Sequence, residues 1–143
     1  MEVAFAPGMG VLHPDGSTQP FWDACRRHEL VFAACASCGA VRMPPASVCP
    51  VCGEAPLTWN QASGLGSVYS FTIARQSFHA QIDDYVPYVV AVIAFDDAPV
   101  RLISNVVSVS PEDVHIGLPV QVAWDVVSPE VVIPRFEPRR GSR

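Results

Sequence analysis

The amino-acid sequence predicts a mostly β protein in which a helix and a cysteine-built zinc ribbon precede a small five-stranded barrel. Three observations carry this. Two C-x-x-C pairs lie close together, Cys35 with Cys38 and Cys49 with Cys52. Helix-start signals lie just before them. After them come about five strand-length runs within roughly 75 residues. Half of the 143 residues are hydrophobic and 16% are charged, so the chain can bury a core.

Residues 1–17 hold Pro7, Gly8, Gly10, Pro14 and Gly16 and read as an extended arm. Thr18 can cap a helix with Pro20 in its first turn, running to about residue 29. Its buried stripe is expected at Phe21, Ala24, Cys25 and His28. Residues 30–34 read as a short strand entering the first cysteine pair. The helix and ribbon together occupy residues 18–57.

Two thiolates three residues apart on a tight turn can face one ion. Gly39 and Gly53 each follow the second cysteine of a pair, where such a turn needs a residue that tolerates positive φ. Ten residues separate the pairs, including Arg42 and Pro44–Pro45. Two knuckles facing each other make a rubredoxin-like, tetrahedral four-sulfur site suited to Zn²⁺. Disulfides are the competing use, but no secretory signal is visible at the N-terminus and reduced thiols are expected in the cytoplasm. A redox C-x-x-C normally comes singly near a βαβ pattern. With all four positions cysteine, the zinc is structural and has no open position for a substrate. Cys25 is left over and is expected to pack as a small apolar residue.

Residues 58–137 carry the strands. Residues 68–73 alternate, with Tyr69, Phe71 and Ile73 on one face; Gly64 and Gly66 before them suggest a bulge or bend. Residues 88–95 are nearly all apolar, as in a strand covered on both faces. Asp96, Asp97, Ala98 and Pro99 form a hairpin loop into a strand over residues 100–107. Ser110, Pro111, Glu112 and Asp113 start a helix that Gly117 and Pro119 stop after about one turn. Residues 120–127 place Val120, Val122, Trp124 and Val126 on one face. Residues 131–133 add a short edge strand before Pro134. Five strands with a helical turn between the third and fourth long ones fit the OB-fold barrel. Residues 138–143 read as a C-terminal tail.

Charge and composition exclude several functions. The net charge of −5 argues against a nucleic-acid protein, and Arg75 is the only cation near Tyr69 and Phe71 in sequence. All nine Lys and Arg positions are arginine, so no lysine Schiff base can form on this chain. The glycines at 64 and 66 precede a strand and do not make a phosphate cradle. His13, His28, His79 and His115 are scattered and suggest no nucleophile–base pair. Trp22, Trp59 and Trp124 read as core or interface anchors. The loop over residues 76–87 is long enough to be functional, with Phe78, His79 and Tyr85 as its candidate contacts to a partner or ligand and a surface loop carrying the solvated pair Asp83 and Asp84 as the simpler account. Arg135, Arg139, Arg140 and Arg143 near the C-terminus could meet the phosphates of a ligand, with a solvated tail as the simpler account.

The order of these features resembles the acyl-CoA-associated zinc-ribbon/OB-fold family, formerly a domain of unknown function. The resemblance rests on Phe21-Trp22, Leu30, the two cysteine knuckles with Pro44-Pro45 between them, Trp59, the run from Gly64 to Thr72, Pro87-Tyr88, and the step from Ile116 to Val120. It covers residues 18–137. It implies an accessory, non-catalytic subunit of a thiolase-fold acyl-CoA enzyme. The implied partners are lipid-transfer-protein-like thiolase homologues or hydroxymethylglutaryl-CoA synthases, and in some relatives a hot-dog-fold hydratase. In one branch the pair resembles an aldolase that cleaves a steroid side-chain β-hydroxyacyl-CoA, expected as a heterotetramer. Partnership with a thiolase or synthase is the alternative, and a single-stranded nucleic-acid module the second one.

Overall fold

The computed structural model describes residues 14–141. Most of the expected N-terminal arm, with His13, and Arg143 of the tail lie outside the described residues. Helix α1 (Gln19–Arg26) opens on Thr18, but the Thr18 side chain makes no cap bond. The carboxylate of Asp15 instead accepts from the N–H groups of Ser17 and Thr18 at 2.9 and 3.0 Å. The helix ends earlier than expected because His28 takes a left-handed φ of 58°. The His28 and Glu29 N–H groups then donate back to Cys25 and Ala24 at 2.9 Å each, which closes the helix as a Schellman turn. Glycine usually marks that position, so nothing in the sequence flagged it. Phe21, Ala24 and Cys25 are buried as expected. His28 is not on the stripe; it is exposed and stacks on Trp124, centroids 5.5 Å apart.

Strand β1 (Leu30–Cys35) is buried along its whole length. It pairs antiparallel with β2 (Leu57–Ala62), Cys35 opposite Leu57. The run that was expected to open the barrel at residue 58 therefore pairs with the ribbon. A lone buried β1 would leave its backbone groups unsatisfied, and β2 supplies the partners.

The barrel is built from β3 (Leu65–Ala74), β4 (Tyr88–Phe95), β5 (Arg101–Val106), β6 (Pro119–Val126) and β7 (Val132–Pro138). It closes in the order β3-β4-β5-β7-β6, with every pairing antiparallel except β5 to β7. A single 3-10 turn at Pro111–Asp113 lies between β5 and β6. This is the five-stranded Greek-key barrel of the OB-fold. Two expectations change within it. A register shift between Val68 and Ser70 puts a bulge at Tyr69, which turns out to solvent while Phe71 and Ile73 pack on the core. And β7 is no short edge strand: it runs seven residues through Pro134 and closes the barrel against β6. Pro134 is tolerated because β7 meets β5 only at Val106–Phe136, so few ladder bonds are at stake there.

Ribbon and barrel share one core. Phe21, Cys25, Leu30 and Phe32 cluster with Val68, Ile93, Val120 and Phe136. The ring of Phe32 lies 5.0 Å from Phe95, which lies 5.7 Å from Phe136. Gly66 is required by close approach, since a Cβ there would sit 2.4 Å from the Ala94 carbonyl oxygen. No helix among the described residues is long and apolar enough to cross a membrane.

Candidate metal centre

The two cysteine knuckles repeat one geometry. The Gly39 N–H donates to the Cys35 carbonyl at 2.9 Å, and the Gly53 N–H to the Cys49 carbonyl at 2.8 Å. Both glycines are left-handed, with φ of 79° and 81°. The Cys35 and Cys49 N–H groups donate in turn to the Ala40 and Glu54 carbonyls at 2.8 Å. Buried Arg42 ties the second knuckle to the ribbon strands, donating to the carbonyls of Glu54, Ala55 and Pro56 at 3.4, 3.2 and 3.3 Å.

The four sulfurs lie within 4.8 Å of one another. Cys35 to Cys52 is 3.5 Å and Cys38 to Cys49 is 3.6 Å, and none is in a disulfide. A zinc–sulfur bond of about 2.3 Å sets tetrahedral sulfur–sulfur edges of roughly 3.8 Å, so the set fits Zn²⁺. The protonation chemistry agrees. The N–H of Cys38, with help from Ser37 and two thiols, pulls the Cys35 thiol down to about 6 against desolvation. The N–H of Cys52 lowers Cys49 in the same way. The Glu54 N–H favours the Cys52 thiolate, but the three neighbouring thiols and burial outweigh it and push Cys52 up to about 11. Without a cation Cys35 and Cys52 do not ionise together near neutral pH, and a dication removes that conflict. Cys35, Cys38, Cys49 and Cys52 would hold the ion, and it would supply a structural cross-link.

The loop candidates sit apart from this centre. Phe78 is 85% exposed at the tip of a loop tied by Ser77 to Asp83. The His79 ring nitrogen Nδ1 accepts from the Gln81 N–H at 3.2 Å, and buried Ile82 anchors the turn. Tyr85 lines a cavity of about 210 Å³ with Asp84, Tyr88 and Asn105. Arg135 is elsewhere again. Its role as a coenzyme A contact is corrected: it is buried, pairs with Asp125 at 3.3 Å and donates to Asn105. A strand residue bonded to two buried neighbours cannot reach a phosphate without breaking both contacts. Arg139 is not a solvated tail residue either, since it pairs with Asp96 at 2.9 Å and donates to the Gly66 carbonyl at 3.1 Å. Sequence reasoning missed Arg101, whose guanidinium lies 3.8 Å over the Tyr69 ring. Thirty-two positions separate the two residues, and only the β3-β4-β5 register brings them together.

Residues 22–58 match the family model described as the ChsH2 rubredoxin-like zinc ribbon domain, and residues 59–125 that described as the ChsH2 C-terminal OB-fold domain. The chain belongs to the ChsH2-type DUF35 family. A chain of the solved structure described as the Ltp2-ChsH2(DUF35) aldolase superposes on this ChsH2-type chain with a TM-score of 0.82 at 32% identity, covering 90% of this chain and 98% of the other. A probable enoyl-CoA hydratase alpha subunit of Thermomonospora curvata is 36% identical over 119 residues, which are 82% of this chain and 36% of that protein. The present chain thus spans only about a third of that relative. A DUF35 domain-containing scaffold protein of Methanocaldococcus jannaschii is 31% identical over 102 residues, 68% of this chain and 69% of that protein.

Proposed function

We propose that this ChsH2-type chain is a non-catalytic accessory subunit of a heteromeric thiolase-fold acyl-CoA enzyme, and that the assembled enzyme is an aldolase. The observation that carries the reading is the near-complete overlay, 98% of the other chain, on a chain of the Ltp2-ChsH2(DUF35) aldolase. The site chemistry supports it. Four cysteines leave the metal no open position. Among the described residues no histidine ring is hydrogen-bonded to a serine or cysteine: His79 accepts from backbone, His115 meets a carbonyl and His28 stacks on Trp124. The retro-aldol step then belongs to the partner. The ribbon and barrel would brace the partner's active-site region and help hold the thioester, with Phe78, His79 and Tyr85 as the contacts offered by the loop.

The finer reading is a heterotetramer acting on a steroid side-chain β-hydroxyacyl-CoA in the cytoplasm, where the free thiols would stay reduced. The hydratase relative favours one other arrangement, in which a hot-dog hydratase joins the same assembly. The test is co-expression with a lipid-transfer-protein-like thiolase homologue from the same organism. A stable complex that cleaves β-hydroxyacyl-CoA only when both chains are present supports the proposal. Separate, individually active proteins would sink it.

A further inference from the structure

An open cleft of about 570 Å³ runs between the ribbon and the barrel. Val41 and Met43 form its ribbon wall, and Phe95, Ala98, Pro99 and Arg101 its barrel wall. Arg101 also lies on the outer face of β5, where its guanidinium covers Tyr69 and where Ile103, two residues along the same face, is 71% exposed.

The charges give the cleft a direction. Asp96 is taken by Arg139 at 2.9 Å, and Asp97 accepts from the Ser63 N–H at 2.9 Å. Arg101 has the Tyr69 ring and, among the described residues, no carboxylate. One end of the cleft thus carries a single cation, 3.8 Å over an aromatic ring and, among the described residues, without a paired carboxylate. We infer that this cleft docks an extended segment of the catalytic partner, one with apolar side chains for the Val41–Met43 wall followed by an aspartate or glutamate for Arg101. The inference rests on the accessory-subunit reading and names the surface that reading requires. A polynucleotide suits the cleft less well, because one arginine offers no row of cations for successive phosphates. The guanidinium matches a carboxylate in two parallel bonds, which fixes the direction of the bound segment.

The test uses the full chain with the thiolase-like protein that co-expression pairs with it, titrated at low and high salt. Arg101→Glu should weaken association at least about 30-fold, as loss of one partner of a desolvated ion pair does. Met43→Asp, on the opposite wall, should do the same, and Arg101→Glu, at an exposed position, should leave zinc content and thermal unfolding normal. A charge reversal of the partner's acidic residue should restore binding to the Arg101→Glu chain. Wild-type complex formation that neither substitution weakens would overturn the cleft and leave the accessory role standing. Failure of the unmodified chain to bind the partner would sink both. Binding of a single-stranded oligonucleotide lost in Arg101→Glu would overturn the protein-segment occupant.

Discussion

Cys38 and Cys52 are the exposed sulfurs of the centre, while Cys35 and Cys49 are buried. Replacing an exposed ligand therefore tests the ion with little disturbance of the core. Cys38→Ser should lower metal content from one zinc per chain toward none and lower the melting temperature, both read on the purified chain. Partner binding should fall with them, and turnover only as a consequence. Cys25 behaves in the opposite way. Desolvation raises its thiol from 9.0 to about 12. An alkylating reagent at pH 8 should leave Cys25 unmodified until the chain is unfolded. The unfolded thiol ionises near its ordinary value of 9.0, so the stabilisation from keeping Cys25 neutral is whole below that pH and is lost as pH rises toward 12. Arg135 is the third residue-scale case. Arg135→Ala would leave the Asp125 carboxylate buried without its cation, at a cost of about 3–5 kcal/mol in denaturant unfolding.

Strand β3 shows what one element demands. Gly66 lets the chain pass under the Ala94 carbonyl, and Gly64 takes a φ of 81° beside Val122. Gly66→Ala should cost about 1–3 kcal/mol, because the nearest atom belongs to a backbone that is itself paired with β3. Urea unfolding measures this, and an unchanged midpoint would mean that the strands part more easily than their register implies. The same strand shows how far the sequence could be read. The glycines signalled a bend, and the alternation located the strand. The bulge at Tyr69 was not legible, because it depends on pairing with β4 and not on β3 itself. Helix α1 was legible at its start and not at its end, where a histidine takes the place of the usual glycine. The strand over β7 was read short because Pro134 is a sound signal for stopping an interior strand. It fails where the second neighbour is nearly absent. The metal centre was fully legible, since C-x-x-C spacing and the following glycine state their geometry locally. The Arg101–Tyr69 contact and the Arg135–Asp125–Asn105 group were not, because each is assembled by register across several strands.

At the scale of the whole molecule, one hydrophobic core joins the ribbon to the barrel, so the zinc has consequences beyond its own loops. Loss of the ion frees the two knuckles, and with them Arg42 and the Val41–Met43 wall of the cleft. Chelation should therefore abolish partner assembly before it unfolds the barrel, seen as loss of the complex by size exclusion while β-rich circular dichroism persists. The similarity to a chain of the Ltp2-ChsH2(DUF35) aldolase structure covers 90% of this chain, and the accessory role proposed above rests on it. The most direct measurement is β-hydroxyacyl-CoA cleavage by the thiolase-like partner, alone and with this chain titrated in, while complex formation is followed on the same samples. Turnover should rise with complex formation and saturate at a fixed stoichiometry, with no turnover by this chain alone. Full activity of the partner by itself, or turnover by the isolated chain, would contradict the accessory role.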